Sequence, residues 1–523
     1  MRGIDEVIKN RYLPVFLFLL ALGIYLLNSW GVSIYILDEA KNATCAREML
    51  DKGNWLVPTF NFDLRTDKPP LHYFFMMLSY SVFGVNPFAA RFFSAIFGAL
   101  TILVTYIYTR QFADSKTAFW TAVVLLSSIH LSLQFHLAVP DPYLIFFMTW
   151  SLFSFYSVVC KNSKLDWLWM YVSMGLATLA KGPVAILLPG LIFLLFLIFS
   201  KKFDWKTIKK LKPFIGVVLV VAIVLPWYVM NGLATDWEWT RGFFFEHNLD
   251  RFSGEMEGHG GIFLLTVLFV VVGLFPFAVF LPQALRFAFQ NKKNMFMLFS
   301  LAAGLSIVGF FSVSQTKLPN YTVPAYPFLA VITGFFITHK LTNYRQVRVA
   351  FISLLSLSIF LPIAAFVAMK FDPSLLPVRH LSVWLFVFPA FLFLAWNSRN
   401  SIHKFLLITG FSGLITALVF FEAVYPVIDH QNPVSNSLRL VENKEVRYYE
   451  KFNPSYSFYL QRKIERIDAD GFHDFFQQNP DGIIISTKRR INELGLDPQY
   501  EVIFSGKDLF ESPTTVLIAL KKN

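Results

Sequence analysis

The sequence predicts an all-α polytopic membrane protein with about thirteen helical spans, followed by a small α/β domain outside the membrane. Three observations carry that fold class. Hydrophobic residues occupy 55% of the 523 positions and charged residues only 15%, with a mean hydropathy of +0.52. Soluble chains are nearer a quarter charged, so lipid is the solvent for most of this one. Apolar runs long enough to cross a bilayer, roughly 17–25 residues, recur along the chain. After Tyr425 the pattern changes, and short stretches alternate apolar and polar residues with the period of a strand.

The first run starts at Pro14, behind Arg2, Lys9 and Arg11. It has no small-residue cleavage site, so it reads as an uncleaved span and not as a signal peptide. The candidate spans are 13–30, 88–109, 117–136, 142–160, 166–180, 183–199, 213–231, 261–283, 295–313, 321–338, 347–369, 381–396 and 403–425. Two connecting segments, 31–87 and 232–260, are too long to be mere links. Within the first, Asp38 to Leu50 reads as a short helix, and Leu71–Phe83 is an apolar stretch short enough to be an interfacial helix. The second is rich in Trp, Phe, Glu and His. Near the end, Glu445–Tyr449, Gly482–Ser486, Tyr500–Phe504 and Thr514–Leu520 read as strands, with a helix at Phe472–Gln478. The division expected is a transmembrane catalytic domain over 1–429 and a soluble extracytoplasmic α/β domain over 430–523.

A net charge of +12 raises the question of nucleic acid, but its distribution answers for topology. Lys201, Lys202, Lys206, Lys209, Lys210 and Lys212 crowd one loop, and Arg110, Lys116, Lys161, Lys164, Lys292, Lys293, Arg345, Arg348, Arg399 and Lys404 fall in loops of the same parity. The alternate loops hold most of the carboxylates. The positive-inside rule assigns the basic set and the N-terminus to the cytoplasm, and an odd number of spans leaves the C-terminus outside. Cys45 and Cys160 then lie on opposite sides of the bilayer and cannot pair. No nucleic-acid partner is expected.

Ionisable residues are costly at membrane depth, roughly 2.5–3.5 kcal/mol at a helix centre. Here they gather in the outer loops: Asp38-Glu39, Asp67-Lys68-Pro69-Pro70, Asp141-Pro142, Lys181-Gly182-Pro183, Glu246-His247-Asn248-Leu249-Asp250-Arg251 and Lys317-Leu318-Pro319-Asn320-Tyr321. Fixed cations and carboxylates at one water–membrane boundary suit a phosphorylated lipid. The cations neutralise the phosphate, and a carboxylate can take a proton from an attacking hydroxyl.

These motifs resemble, in order, those of the aminoarabinose lipid A transferases and their relatives, polyprenyl-phosphate-sugar-dependent glycosyltransferases that are similar to the protein O-mannosyltransferases. The resemblance runs through Asp38-Glu39-Ala40 to Arg47-Glu48-Met49-Leu50, Gly53-Asn54-Trp55-Leu56-Val57-Pro58, and Lys68-Pro69-Pro70 with Tyr73. It continues through Asp141-Pro142, Lys181-Gly182, Leu225-Pro226-Trp227, Phe245-Glu246-His247 with Arg251-Phe252, and Lys317 to Tyr321. It covers roughly 31–340 closely and the remainder in outline. Each motif alone is weak; the ordered set is strong.

The resemblance implies a GT-C-type fold and an inverting transfer from a polyprenyl (undecaprenyl) phosphate sugar to an extracytoplasmic glycolipid such as lipid A, a glycan or a protein. It implies a multi-pass protein among the lipids of a bacterial inner membrane. By the same resemblance Asp38 is the leading catalytic carboxylate and Asp141 the second. Glu39, Lys68, Tyr73, Lys181, Arg251, Lys317 and Tyr321 contact substrate, with Lys68, Arg251 and Tyr321 on the carrier phosphate. No cofactor is required by the residues themselves. The resemblance implies a divalent metal such as zinc at Asp67 and His247, with Asp where the aminoarabinose enzymes have the longer Glu.

Plainer readings compete. Asp38 and Asp141 each precede a helix, Asp141 with proline next, so either can be an N-cap, or cap and act at once. Lys68 can be a solvated loop charge, and Lys317 an interfacial anchor ending a span. His247 and Arg251, like Glu246 and Asp250, share a face if their segment is helical; a lone His is more often structural than a ligand, and the aromatic run 243–245 reads as packing. For the whole chain, a flippase of lipid-linked sugars is the rival from another class. Such proteins carry internal repeats and broken polar helices at mid-membrane, and no repeat is evident here. A non-catalytic prenyl-phosphate scaffold is the third reading.

Overall fold

In hydrocarbon every backbone N–H and C=O must be paired within its own segment, so apolar runs of this length fold as helices. The structure is a computed structural model that describes residues 2–249 and 261–521. Among the described residues, eight helices are long and apolar enough to cross a bilayer, or ten counting two bent pairs. Helices occupy all thirteen expected spans, including the shorter Leu13–Tyr25, Asp166–Lys181 and Val184–Phe199. Asp141–Lys161 and Pro319–His339 are surrounded by protein, whereas Trp205–Ala234 and Tyr344–Met369 turn most of their apolar surface outward. Exposed Phe214, Val217, Val218 and Leu225 on one of these outer helices suit lipid and not water.

Two expected spans are broken. The run 117–136 bends by 65° between Ser115–Leu126 and Ile129–His136. Ser128 makes the break: its Oγ accepts from Leu131 N at 3.1 Å and donates to Gly273 O at 2.6 Å. That starts a new helix and ties it to a neighbour. The run 261–283 bends by 116° between Phe263–Gly273 and Phe277–Gln290, next to Pro276, which has no N–H to continue the ladder.

Leu37–Asp51 and Leu71–Phe83 are the two helices of the long segment 31–87, within a residue of their expected limits. Between them lies a feature too short for periodicity to reveal, a hairpin of β1 (Thr59–Phe60) and β2 (Asp63–Leu64). At its tip Asn61 and Phe62 both have positive φ, 53° and 69°. Two such residues form the primed turn that matches strand twist; Asn tolerates this conformation, Phe does not readily. Beneath the hairpin, fully buried Glu48 accepts from Thr59 Oγ1 at 2.7 Å and Phe62 N at 2.9 Å.

The C-terminal strands are β3 (Val446–Tyr448), β4 (Glu465–Arg466), β5 (Ile483–Thr487), β6 (Tyr500–Lys507) and β7 (Thr514–Leu520). Their order is β4-β3-β5-β7-β6, with β4, β3 and β5 parallel and the β5–β7 and β7–β6 pairs antiparallel. All four expected strands and the helix Phe472–Gln478 are present; β4 is the strand that was not foreseen. This C-terminal region is tied to the segment 31–87. Ser33 N and Oγ donate to Asp429, with N at 2.9 Å, Ile34 N donates to Tyr459 Oη at 2.8 Å, and Leu509 N donates to Tyr35 Oη at 2.9 Å.

Candidate active site

Asp141 is the first residue of the Asp141–Lys161 helix, whose N-cap is Pro140, with no side-chain cap bond. Its carboxylate is used elsewhere. Oδ1 accepts from Lys181 Nζ at 2.5 Å and from Asn320 Nδ2 at 2.9 Å. Three segments far apart in sequence meet at one nearly buried carboxylate. Lys181 ends its own helix at Gly182, which has φ of 82° and where a Cβ would lie 2.6 Å from the Phe243 ring. Only glycine lets that turn close against the ring. The Lys181 ammonium also lies 5.3 Å from the centre of the Tyr321 ring, a cation–π contact.

These groups open onto a cavity of about 470 Å³. Asp67, Lys68, Asp141, Lys181, Asn320 and Tyr321 supply its polar lining, and Leu144, Val184, Leu187, Phe243, Phe244, Phe310 and Phe311 its apolar walls. Phe243 and Phe244 therefore do more than pack, although Phe243 also stacks on Trp239 at 4.9 Å. Behind the lining sits Arg65, whose Nε donates to Asp67 Oδ2 at 3.2 Å. Its two terminal nitrogens are buried without an acceptor. Burial opposes its charge, but Tyr73, Asp67, Cys45 and Asp38 outweigh that and raise its pKa above the ordinary value.

The other expected site residues divide. Asp38 is exposed, in the first turn of Leu37–Asp51; the N-cap there is Ile36, with no side-chain cap bond. It reaches the site electrostatically through Arg65 and does not line the cavity. Glu39 is fully buried and clasped by Arg91, Nε to Oε1 and Nη2 to Oε2 both at 2.8 Å, and it also accepts from Ala138 N at 2.9 Å. Arg91 in turn donates to the carbonyls of Ser29, Val32 and Ser33, so the pair fastens the start of the segment 31–87 to the Pro87–Phe112 helix. Tyr73 is buried against His72, 3.8 Å between ring centres, outside the cavity lining. Lys317 is buried, and its ammonium donates to Ser312 O at 3.0 Å and Ser314 O at 2.6 Å, the carbonyl end of the Met295–Val313 helix, where a cation is favoured.

His247 lies in a π-helical segment, Gly242–Leu249, wider than the helix expected there, and its side chain is outside the described residues. Arg251, and with it the facing of His247 with Arg251 and of Glu246 with Asp250, also falls outside them. Among the described residues no three His, Cys, Asp or Glu side chains gather as a metal site. Asp67 already has the Arg65 guanidinium against its carboxylate. No step is derived through a metal.

Arg65, Arg91 and Asn320 were not among the expected site residues. Asn320 stood inside the Lys317–Tyr321 motif, but a neutral amide gives no electrostatic signal. Arg65 lies two residues before Asp67, a spacing with no chemical pattern of its own. Only the folded hairpin turns it inward.

Comparison with known proteins fits this architecture. The dolichyl-phosphate-mannose-protein mannosyltransferase family matches residues 67–230. A protein of Aquifex aeolicus is 28% identical over 458 residues, 85% of this chain and 86% of that one. An undecaprenyl phosphate-alpha-4-amino-4-deoxy-L-arabinose arabinosyl transferase of Pseudomonas aeruginosa is 28% identical over 351 residues, 66% of this chain. The match spans 63% of that transferase, less than two thirds of its length. The crystal structure of ArnT from Cupriavidus metallidurans bound to undecaprenyl phosphate superposes with a TM-score of 0.83 over 97% of this chain and 98% of that one, at 19% identity. That likeness gives the fold, the GT-C type expected. The resemblance read from the ordered motifs, and the expectation of a glycosyltransferase, are borne out.

Proposed function

For a glycosyltransferase similar to the mannosyltransferases and arabinosyl transferases of lipid-phosphate sugars, we propose a specific reaction: inverting transfer of a monosaccharide from polyprenyl phosphate, undecaprenyl phosphate in a bacterium, to an acceptor at the outer face of the inner membrane. One observation carries the reading. Lys68, Lys181, Asn320 and Tyr321 share a cavity with aromatic and aliphatic walls, a charged place for a phosphate beside an apolar one for its prenyl chain. The relative whose structure holds undecaprenyl phosphate has the same fold.

As the glycosidic bond breaks, negative charge grows on the carrier phosphate and positive character on the anomeric carbon. Lys68 and Lys181 stabilise the departing phosphate more in the transition state than before it, which lowers the barrier. Asp141, held by Lys181 and Asn320, anchors the Lys181 ammonium and is not the base. That role falls to Asp38, whose carboxylate is exposed and can take the proton of an acceptor hydroxyl. Arg65, behind the lining, holds Asp67 in place through its Nε, and Arg251 adds a cation for the phosphate. Glu39, Tyr73 and Lys317 act as supports around these groups.

The acceptor we favour is lipid A or another glycolipid or glycan, after the arabinosyl transferases. Protein O-glycosylation is the second reading, favoured by the family that matches 67–230. We assign thirteen crossings, a cytoplasmic N-terminus, and domains of 1–429 and 430–523 with the second outside. The test is to incubate the purified protein with a panel of polyprenyl-phosphate sugars and candidate acceptors, and to identify the product by mass spectrometry and NMR. Free polyprenyl phosphate and a product of opposite anomeric configuration are expected; an intact donor throughout, or consumption of a nucleotide sugar instead, would refute the proposal.

A further inference from the structure

The hairpin that leads into the cavity is gripped from both sides, and the upper grip comes from the C-terminal sheet domain. Asn61 Nδ2 donates to Ile464 O at 2.8 Å, and Ile464 N donates to Asn61 Oδ1 at 2.9 Å. This reciprocal pair is buried, unlike the exposed ion pair of Lys463 with Asp63 beside it. Phe60 stacks on Phe452 of the same domain, 6.4 Å between ring centres. Below, Glu48 holds Thr59 and the Phe62 amide.

What the two grips hold is a turn that would not persist alone. A phenylalanine at φ of 69° is an uncommon conformation, kept only where the surroundings enforce it. The hairpin also has a direct path to the site. Arg65 N donates to Pro58 O at 3.0 Å to close it, Trp239 Nε1 donates to Arg65 O at 2.8 Å, and Arg65 fixes Asp67, next to Lys68 on the cavity wall. Asn61 and Lys68 are thus joined by a bonded route through the hairpin and Arg65.

We propose that the C-terminal domain is a positioning part of the transfer site: through the Asn61–Ile464 clip it sets the hairpin, and the hairpin sets Lys68. Asn61 is a positioning residue acting through Lys68. The inference rests on the reading above that Lys68 holds the donor phosphate.

The test is a double-mutant cycle on the full-length protein in detergent, with undecaprenyl phosphate as the probe and its dissociation constant as the readout. Asn61→Gly removes the clip while keeping the positive φ that the turn needs. Asn61→Asp keeps the acceptor for Ile464 N–H and the tolerance of positive φ, but sets a carboxylate oxygen against Ile464 O where the donor was. Asn61→Gly is expected to weaken binding by about tenfold, roughly the worth of one or two net hydrogen bonds, and Asn61→Asp by at least as much. Lys68→Ala is expected to weaken it at least as much, and the double variant no more than Lys68→Ala alone, because Asn61 acts only through Lys68. Losses that multiply in the double variant, or wild-type affinity in Asn61→Gly, would overturn the clip. Should Asn61→Gly not fold, the same cycle is run with Asn61→Asp and read the same way. Wild-type affinity in Lys68→Ala would instead remove the reading on which the inference rests, and the clip with it.

Discussion

Replacing Asp38 with Asn separates chemistry from architecture. The substitution keeps shape and removes one negative charge. Asp38 is exposed in the first turn of its helix, and the N-cap there is Ile36, so no cap bond depends on it. Its favourable interaction with the N-terminal end of the helix dipole is worth about 0.3–1 kcal/mol at a surface site. Arg65 would keep Asp67 as its partner. The melting temperature should therefore fall by no more than about 2–4 °C. A general base contributes about 10²–10⁴-fold, or roughly 2.7–5.4 kcal/mol of barrier, so transfer should fall at least a hundredfold. Initial rate and melting temperature measured together for wild type, Asp38→Asn and Asp38→Ala decide the matter. An Asn variant at full rate would refute the assignment.

The remaining predictions are as follows. Lys181→Ala leaves the nearly buried Asp141 carboxylate with Asn320 alone and should cost about 1.5–3 kcal/mol of stability and most of the activity; Lys181→Ala with Asp141→Ala should regain stability, by thermal unfolding, without regaining transfer. Cysteine placed at Lys206 should resist a membrane-impermeant reagent in intact cells, and cysteine at Glu493 should react; labelling at 206 would overturn the topology. Burial raises the Asp508 carboxyl above its ordinary range, with Thr515 and Tyr35 opposing. A raised folded-state pKa means that its stability contribution is complete below the unfolded value and is lost as pH rises through the folded one. Asp508→Asn should thus gain on wild type in melting temperature toward neutral pH and match it near pH ~4 and below; a gain in the opposite direction would contradict the burial argument.

Helices and the later strands were legible because each is a local pattern. The limits of Leu71–Phe83 and of Phe472–Gln478 follow from a few residues of context, and β5, β6 and β7 from alternation. Two-residue strands such as β1, β2 and β4 contain no period to detect, and the break at Ser128 comes from a bond to Gly273 in another helix. Site geometry was less legible for the same reason. Asp141, Lys181 and Asn320 stand 40 and 179 positions apart along the chain and meet only through helix packing. Motif order picked out Glu39 and Lys317 beside the cavity-lining residues, because a motif records which residues matter and not what they touch. Their partners, Arg91 and the Ser312 and Ser314 carbonyls, assign them to the scaffold.

Whether the cavity beside Asp141 and Lys181 holds the donor lipid can be measured directly. An undecaprenyl phosphate analogue with a diazirine on the isoprene unit nearest the phosphate is bound to the purified protein, illuminated, and the labelled peptides are sequenced. Labelling at Phe243, Phe244, Phe310 or Phe311, abolished by excess undecaprenyl phosphate, is the predicted result. Labelling confined to the apolar groove of Phe16, Leu17, Phe119 and Phe411, with Phe243, Phe244, Phe310 and Phe311 untouched, would contradict it.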